Sequence, residues 1–222
     1  MRRSQRLAAS TLSGALALAL AVAALAIISG AVVHSSSLTY YLHNNPTPPS
    51  ANTAAQPVLP MDATAPTATT LYNYDTDRDS FAGLLIAKGA SGPAESDSTK
   101  YQTWRTASLA SDLTIDGMVS LTFWSGMKDF APGKRGSVTA YLRDYSGSSR
   151  TEICQGTLTQ DSWQGASSSW VEKTLSFNCP SYEVVAGHRI ELKLTVSNSS
   201  DDDMWFAYDT TAYPSRIIID KN

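Results

Sequence analysis

The sequence predicts an all-β domain, an antiparallel two-sheet sandwich or jelly roll, preceded by one N-terminal transmembrane (signal-anchor) helix. Three observations predict it. Apolar and polar residues alternate with a period of two in segment after segment. Short turn signals separate those segments, among them Pro132-Gly133, Ser146-Gly147, Ala186-Gly187 and Asn198-Ser199. No stretch after residue 34 sustains the 3.6-residue period of an amphipathic helix.

The elements follow in order. Residues 1–6 carry Arg2, Arg3 and Arg6 and read as a basic cytoplasmic stub. Residues 7–33 hold 27 side chains without an ionisable group, ten of them Ala and six Leu. That exceeds the ~20 apolar residues that cross a hydrocarbon core at 1.5 Å each. Two readings stand: an uncleaved anchor, which the length favours, and a signal peptide cleaved after Ala31. Either places the remainder outside the cytoplasm, at the membrane as a single-pass protein or secreted. Residues 34–37 are a short tether.

The extracytoplasmic sandwich spans 38–222. Leu38-Thr39-Tyr40-Tyr41-Leu42-His43 is apolar and β-prone, and reads as the first strand. Residues 44–70 carry six of the ten prolines and read as a long surface loop. Strands are then expected around 71–74, 84–88, 103–109, 119–123, 138–143, 151–159, 171–177, 190–196, 204–209 and 216–220. Ile190-Glu191-Leu192-Lys193-Leu194-Thr195-Val196 alternates most cleanly, which predicts Glu191, Lys193 and Thr195 on a face toward water. Cys154 and Cys179 are the only cysteines, and export predicts a disulfide between them.

Charge narrows the partners. The chain is −3 overall, and removing the three leader arginines leaves 14 basic and 20 acidic residues. A domain at −6 argues against nucleic acid. The expected partners are the membrane, through 7–33, and a cell-envelope glycan or protein. Catalytic signatures are absent: no G-x-S-x-G, no H-x-H or H-E-x-x-H, no C-x-x-C and no phosphate-cradling glycine loop occurs. His43 and His188 sit at strand ends and read as satisfied or solvated residues.

Two constellations have chemical interest. Asp75, Asp77 and Asp79 alternate in one loop, and Asp201 and Asp203 flank Asp202 in another. Hard oxygen ligands so spaced suit Ca²⁺, although Ser80 and Ile86 break the EF-hand pattern. The competing reading is two solvated acidic turns. Trp163 and Trp124 are candidates for stacking on sugar rings, and the competing reading puts Trp104, Trp163 and Trp205 in the core.

Tyr40-Tyr41-Leu42-His43, the alternating strands, Trp205-Phe206-Ala207-Tyr208-Asp209 and Ile217-Ile218-Ile219 together resemble the galactose-binding-like jelly-roll modules of exported prokaryotic proteins. The resemblance covers most of 38–220 as a strand pattern. It implies a non-catalytic binding or structural role, often with a structural calcium. The expected function is therefore a membrane-anchored, extracytoplasmic β-sandwich acting as a non-catalytic structural or interaction module at the cell envelope. The alternative is a carbohydrate-binding module. A hydrolase would require a histidine or carboxylate pair converging in a pocket.

Overall fold

The computed structural model describes residues 36–45, 58–71, 83–89, 97–165 and 169–221. The apolar segment 7–33 and the Asp75–Asp79 loop lie outside them. Among the described residues no helix is long and apolar enough to cross a membrane.

The described residues form eleven strands and a single 3₁₀ turn at Ser98–Lys100. β5 (Leu113–Met127) is the spine of one layer. β8 (Val171–Val184) lines one edge of it. β11 (Arg216–Lys221) and β10 (Met204–Ala207) divide the other edge. β1 (Ser36–Leu42) pairs beyond β11, and β3 (Leu84–Ile86) beyond β10. The second layer runs β4 (Tyr101–Arg105), β9 (Arg189–Val196), β6 (Gly136–Tyr145), β7 (Arg150–Gln160).

β2 (Leu59–Asp62) joins the layers at one corner. It pairs antiparallel with β1 and parallel with β4, so the sheet is mixed where antiparallel pairing alone is expected. The direction of β2 is set by β1, and its second edge then meets β4 in parallel. β2 also lies within the proline-rich stretch expected to be loop. It forms because Leu59 and Met61 alternate with Pro60 and Asp62, and the two apolar side chains enter the core.

At the opposite edge the Cys154–Cys179 disulfide ties β7 to β8, with 5.2 Å between the Cα atoms. Phe177 of β8 lies over Gly156 of β7, where a Cβ would stand 2.5 Å from the ring. The core between the layers holds Leu121, Phe123, Ile217 and Ile219 from one side and Ala140, Leu142, Leu192 and Leu194 from the other. Gly117 (φ 113°) sits at the β5 register shift between Ile115 and Gly117, a bulge conformation L side chains rarely adopt. The β-sandwich-like, all-β character of the fold and the disulfide are as expected.

Candidate functional site

Strand alternation explains where the site lies. In β9 the residues Ile190, Leu192, Leu194 and Val196 enter the core. Glu191, Lys193 and Thr195 therefore point to the outer face of the second layer. They are not in water there: Glu191 and Lys193 are both 0 % exposed. The reason is register. Arg105 and Arg143 stand opposite Glu191, and Thr103 and Tyr141 opposite Lys193. Residues directly across a ladder share a face, so long side chains from β4 and β6 close over the central strand.

Three arginines converge on the buried Glu191 carboxylate. Arg105 donates through Nε at 2.8 Å and through Nη2 to Oε2. Arg143 pairs with Oε1 through Nη2, and Arg150 donates to Oε1 through Nε at 3.0 Å. The Arg105 guanidinium stacks 3.5 Å from the centroid of the Tyr145 ring, and Arg150 lies 5.3 Å from it. Tyr145 is held by its own hydroxyl, which donates to the Gly147 carbonyl at 2.6 Å. One ring and one carboxylate thus fix the arginine forks in direction. Lys193 sits beside this cluster, 4.7 Å from the Tyr101 centroid and 5.8 Å from that of Tyr141.

A charge buried on the outer face of a sheet is costly unless it is paired, and three cations around one anion leave a positive surplus. Arg189 adds a fourth guanidinium at the same end, opposite Tyr145. Glu152, opposite Arg143, offsets one of these charges. This end of the second layer is therefore cationic on a domain that is acidic as a whole.

A cleft of about 410 Å³ opens beside the cluster, between β2 and the β4 end of the layer. Arg105 and Arg189 supply charge to its wall, Asn45 supplies an amide, and Val58, Pro60 and Ala107 supply apolar surface. His43 pins this wall. Its Nδ1 lies 2.7 Å from Asp209 Oδ1 and its Nε2 3.3 Å from Asp62 Oδ1. Asp209 itself has φ 58°, and its other oxygen accepts from the Asn44 N–H. The clasp joins the end of β1, the end of β2 and the β10–β11 connection.

The hydrogen bond with Asp209 raises the His43 pKa above the ordinary histidine value, against an opposing contribution from burial. A histidine raised in the folded state contributes stability in full below its unfolded pKa of about 6.5. That stability is lost as pH rises through the folded value. The melting-temperature gap between the parent and His43→Asn is accordingly expected to be widest near pH ~6 and to narrow toward pH ~9. A gap independent of pH across that window would contradict the clasp.

A second His–Asp pair lies at the same end of the layer. His188 Nδ1 is 2.9 and 3.0 Å from the two oxygens of Asp144, and the Tyr182 hydroxyl donates to Asp144 at 3.1 Å. Burial and that contact raise the Tyr182 pKa. Among the described residues neither histidine has a serine or cysteine side chain as its hydrogen-bond partner.

The residues singled out from sequence fall elsewhere. Trp163 is in the core at 1 % exposure, its indole N–H donating to Ser125 Oγ at 2.8 Å, so it has no ring face to offer a sugar. Its ring lies over Gly136, where a Cβ would stand 2.5 Å away. Trp124 is half-buried, edge-on to Tyr213 at 6.3 Å. Asp201 accepts from the Arg135 N–H at 2.7 Å. Asp203 accepts from the Lys88 N–H at 2.9 Å and lies 3.7 Å from Lys128 Nζ. Between them Asp202 takes Lys134 at 2.8 Å, which lowers the Asp202 pKa despite its burial. These carboxylates face N–H donors and ammonium groups, a setting that does not fit a Ca²⁺ ion. No group of three or more metal-ligating side chains occurs among the described residues.

Sequence reasoning did not find the arginine cluster. The one available signal was a charged residue within some of the β-patterns, Arg143 in 138–143 and Glu191 in 190–196. Which strand neighbours which was not readable from alternation.

No family model matches the chain, and no curated protein matches it. Solved structures share its fold. A CocE/NonD family hydrolase from Staphylococcus aureus matches at 9 % identity with a TM-score of 0.57, over 86 % of this chain and 37 % of that one. A second structure of that hydrolase gives 10 % and 0.58, over 84 % and 36 %. An aminopeptidase from a marine sediment Thaumarchaeota archaeon matches at 10 % and 0.56, over 83 % and 37 %. The chain spans little more than a third of the length of these proteins. They correct the expectation of a non-catalytic structural or interaction module: these matches are chains of a hydrolase and an aminopeptidase, and the likeness to them is one of fold.

Proposed function

We propose that the protein is a galactose-binding-like jelly-roll β-sandwich that takes part in hydrolytic chemistry, with the arginine-rich end of its second layer as the surface that meets substrate. The observation that carries the reading is Glu191, fully buried on an outer sheet face with Arg105, Arg143 and Arg150 gathered on its two oxygens. Local rules of burial are broken most often where a site needs fixed charge, and here they are broken beside an open cleft. The hydrolase and aminopeptidase chains of the same fold support the reaction class. The strand order, with the first and last strands adjacent and a corner strand linking the layers, supports the jelly-roll assignment.

The proposed location is outside the cytoplasm, tethered through residues 7–33. The basic stub and the apolar length support this, and a disulfide belongs to an oxidising compartment.

Cells lacking the chain and cells carrying Arg150→Ala test the function. Whole cells and their fractions are assayed for cleavage of p-nitrophenyl esters and aminoacyl p-nitroanilides. A fall of about threefold or more in one of these activities, in both strains, is expected. Activities equal to the parent across the set would overturn the reading.

A further inference from the structure

We propose that the cleft between β2 and the β4–β9 end of the second layer binds a carboxylate carried on an apolar body, with Arg189 and Arg105 holding the carboxylate. The inference rests on taking this end of the layer as the working surface, and it adds the chemical class of what enters.

Arg189 supplies the first argument. It is exposed, and its Nε donates to Ser108 Oγ at 3.2 Å. That bond orients the guanidinium and uses only one of its five N–H donors. The two terminal NH₂ groups have no protein partner among the described residues, and the residue lines the cleft. Arg105 supplies the second. Its Nε and Nη2 are committed to Glu191 and its plane rests on Tyr145, so its remaining edge is fixed in place before any ligand arrives. Two guanidinium groups on one wall, one rigid and one tethered at a single atom, suit a planar anion with two acceptor oxygens.

The rest of the wall decides the body of the ligand. Val58 is one of three large hydrophobic residues exposed among those described, at 40 %. Pro60 and Ala107 continue the apolar surface from it. A bare phosphate or sulfate would leave this surface wet. An acid with an aliphatic body covers it. The carboxylate can come from a free acid or from the C-terminus of a short apolar peptide. Ester and amide hydrolysis both release such a group, in keeping with the reaction class above.

Calorimetric titration of the full chain tests this with hexanoate, hexanamide, N-acetyl-Ala-Leu, its C-terminal amide, and inorganic phosphate. Hexanoate or N-acetyl-Ala-Leu is expected to bind, and the one that binds more tightly identifies the source. Each neutral amide is expected to bind at least about tenfold more weakly than its acid, the loss of one charge-assisted contact. Arg189→Gln is expected to raise the Kd about tenfold or more, and Arg135→Gln, at the opposite end of the layer, to leave it unchanged. Circular dichroism confirms that each variant is folded, and the acid–amide comparison on the parent stands even if one is not. Amides binding as tightly as acids, phosphate binding as tightly as hexanoate, no binding of either acid, or an unchanged Kd in Arg189→Gln would each overturn the proposal. Failure here with the cell assay upheld discards the ligand and keeps the hydrolytic role. The reverse outcome keeps the site and discards the reaction class.

Discussion

Glu191→Leu is expected to destabilise the domain by about 3–5 kcal/mol, the cost of leaving a buried charge cluster without its counter-ion. Arg143 is 2 % exposed and Arg105 stacks on Tyr145, so neither can swing into water without unpacking the outer face. Denaturant unfolding followed by tryptophan fluorescence measures the loss. The double variant Glu191→Leu/Arg143→Met is expected to recover a substantial part of it, because well-packed apolar residues often replace a buried ion pair at little cost. A single variant as stable as the parent would mean that the three arginines are solvated and that the site is not preorganised. The double variant no better than the single would place the loss in packing rather than in unpaired charge.

Removing the disulfide with Cys154→Ser/Cys179→Ser is expected to cost about 3 kcal/mol, since the bridge closes a loop of 25 residues. The position makes the cost larger than a surface staple would give. Among the described residues β7 pairs only with β6, and β8 only with β5. The bridge, the seating of Phe177 on Gly156 and the hydrogen bond from Lys173 Nζ to Gln160 Oε1 hold these two edges together. A fall in melting temperature of about 10 °C, matched by dithiothreitol on the parent, is the expected result. A fall of about 1 °C or less would show that apolar packing alone closes this edge.

The strands were legible because their alternation is local. Val119, Leu121 and Phe123 on β5, and Ile190 to Val196 on β9, lie where the period of two places them. The cysteines paired because only one pairing exists. The short strand β2 was not legible, since proline content masks a four-residue segment whose two apolar residues matter only once β1 and β4 flank it. The site was illegible for a related reason. Alternation correctly set Glu191 and Lys193 on the outer face, but exposure depends on what the adjacent strands bring across. Arg105, Arg143, Tyr101 and Tyr141 come from 48 to 92 positions away in sequence, and only the register puts them over β9. Trp163 illustrates the same limit. Its residue type made it a candidate for sugar stacking, while Gly136 on a distant strand leaves the space its ring fills.

The same register is why charged groups gather at one end of the second layer. The Glu191 cluster faces outward there, and Asp144, one position along β6 from Arg143, meets His188 just before β9 and Tyr182 of β8. The His43 clasp fixes the opposing wall. Acidic Asp201–Asp203, by contrast, faces the Lys128 and Lys134 ammonium groups and the Arg135 backbone N–H, which closes the β9–β10 turn with surface ion pairs of little net energy.

Arginine side-chain NMR gives the most direct test of the account. The Nε–H resonances of Arg105, Arg150, Arg189 and Arg135 are followed while hexanoate is titrated into the full chain. The account predicts saturable shifts at Arg189 and Arg105 with a common Kd, and none at Arg135. Equal shifts at all four, or no saturable shift at Arg189 and Arg105, would contradict it.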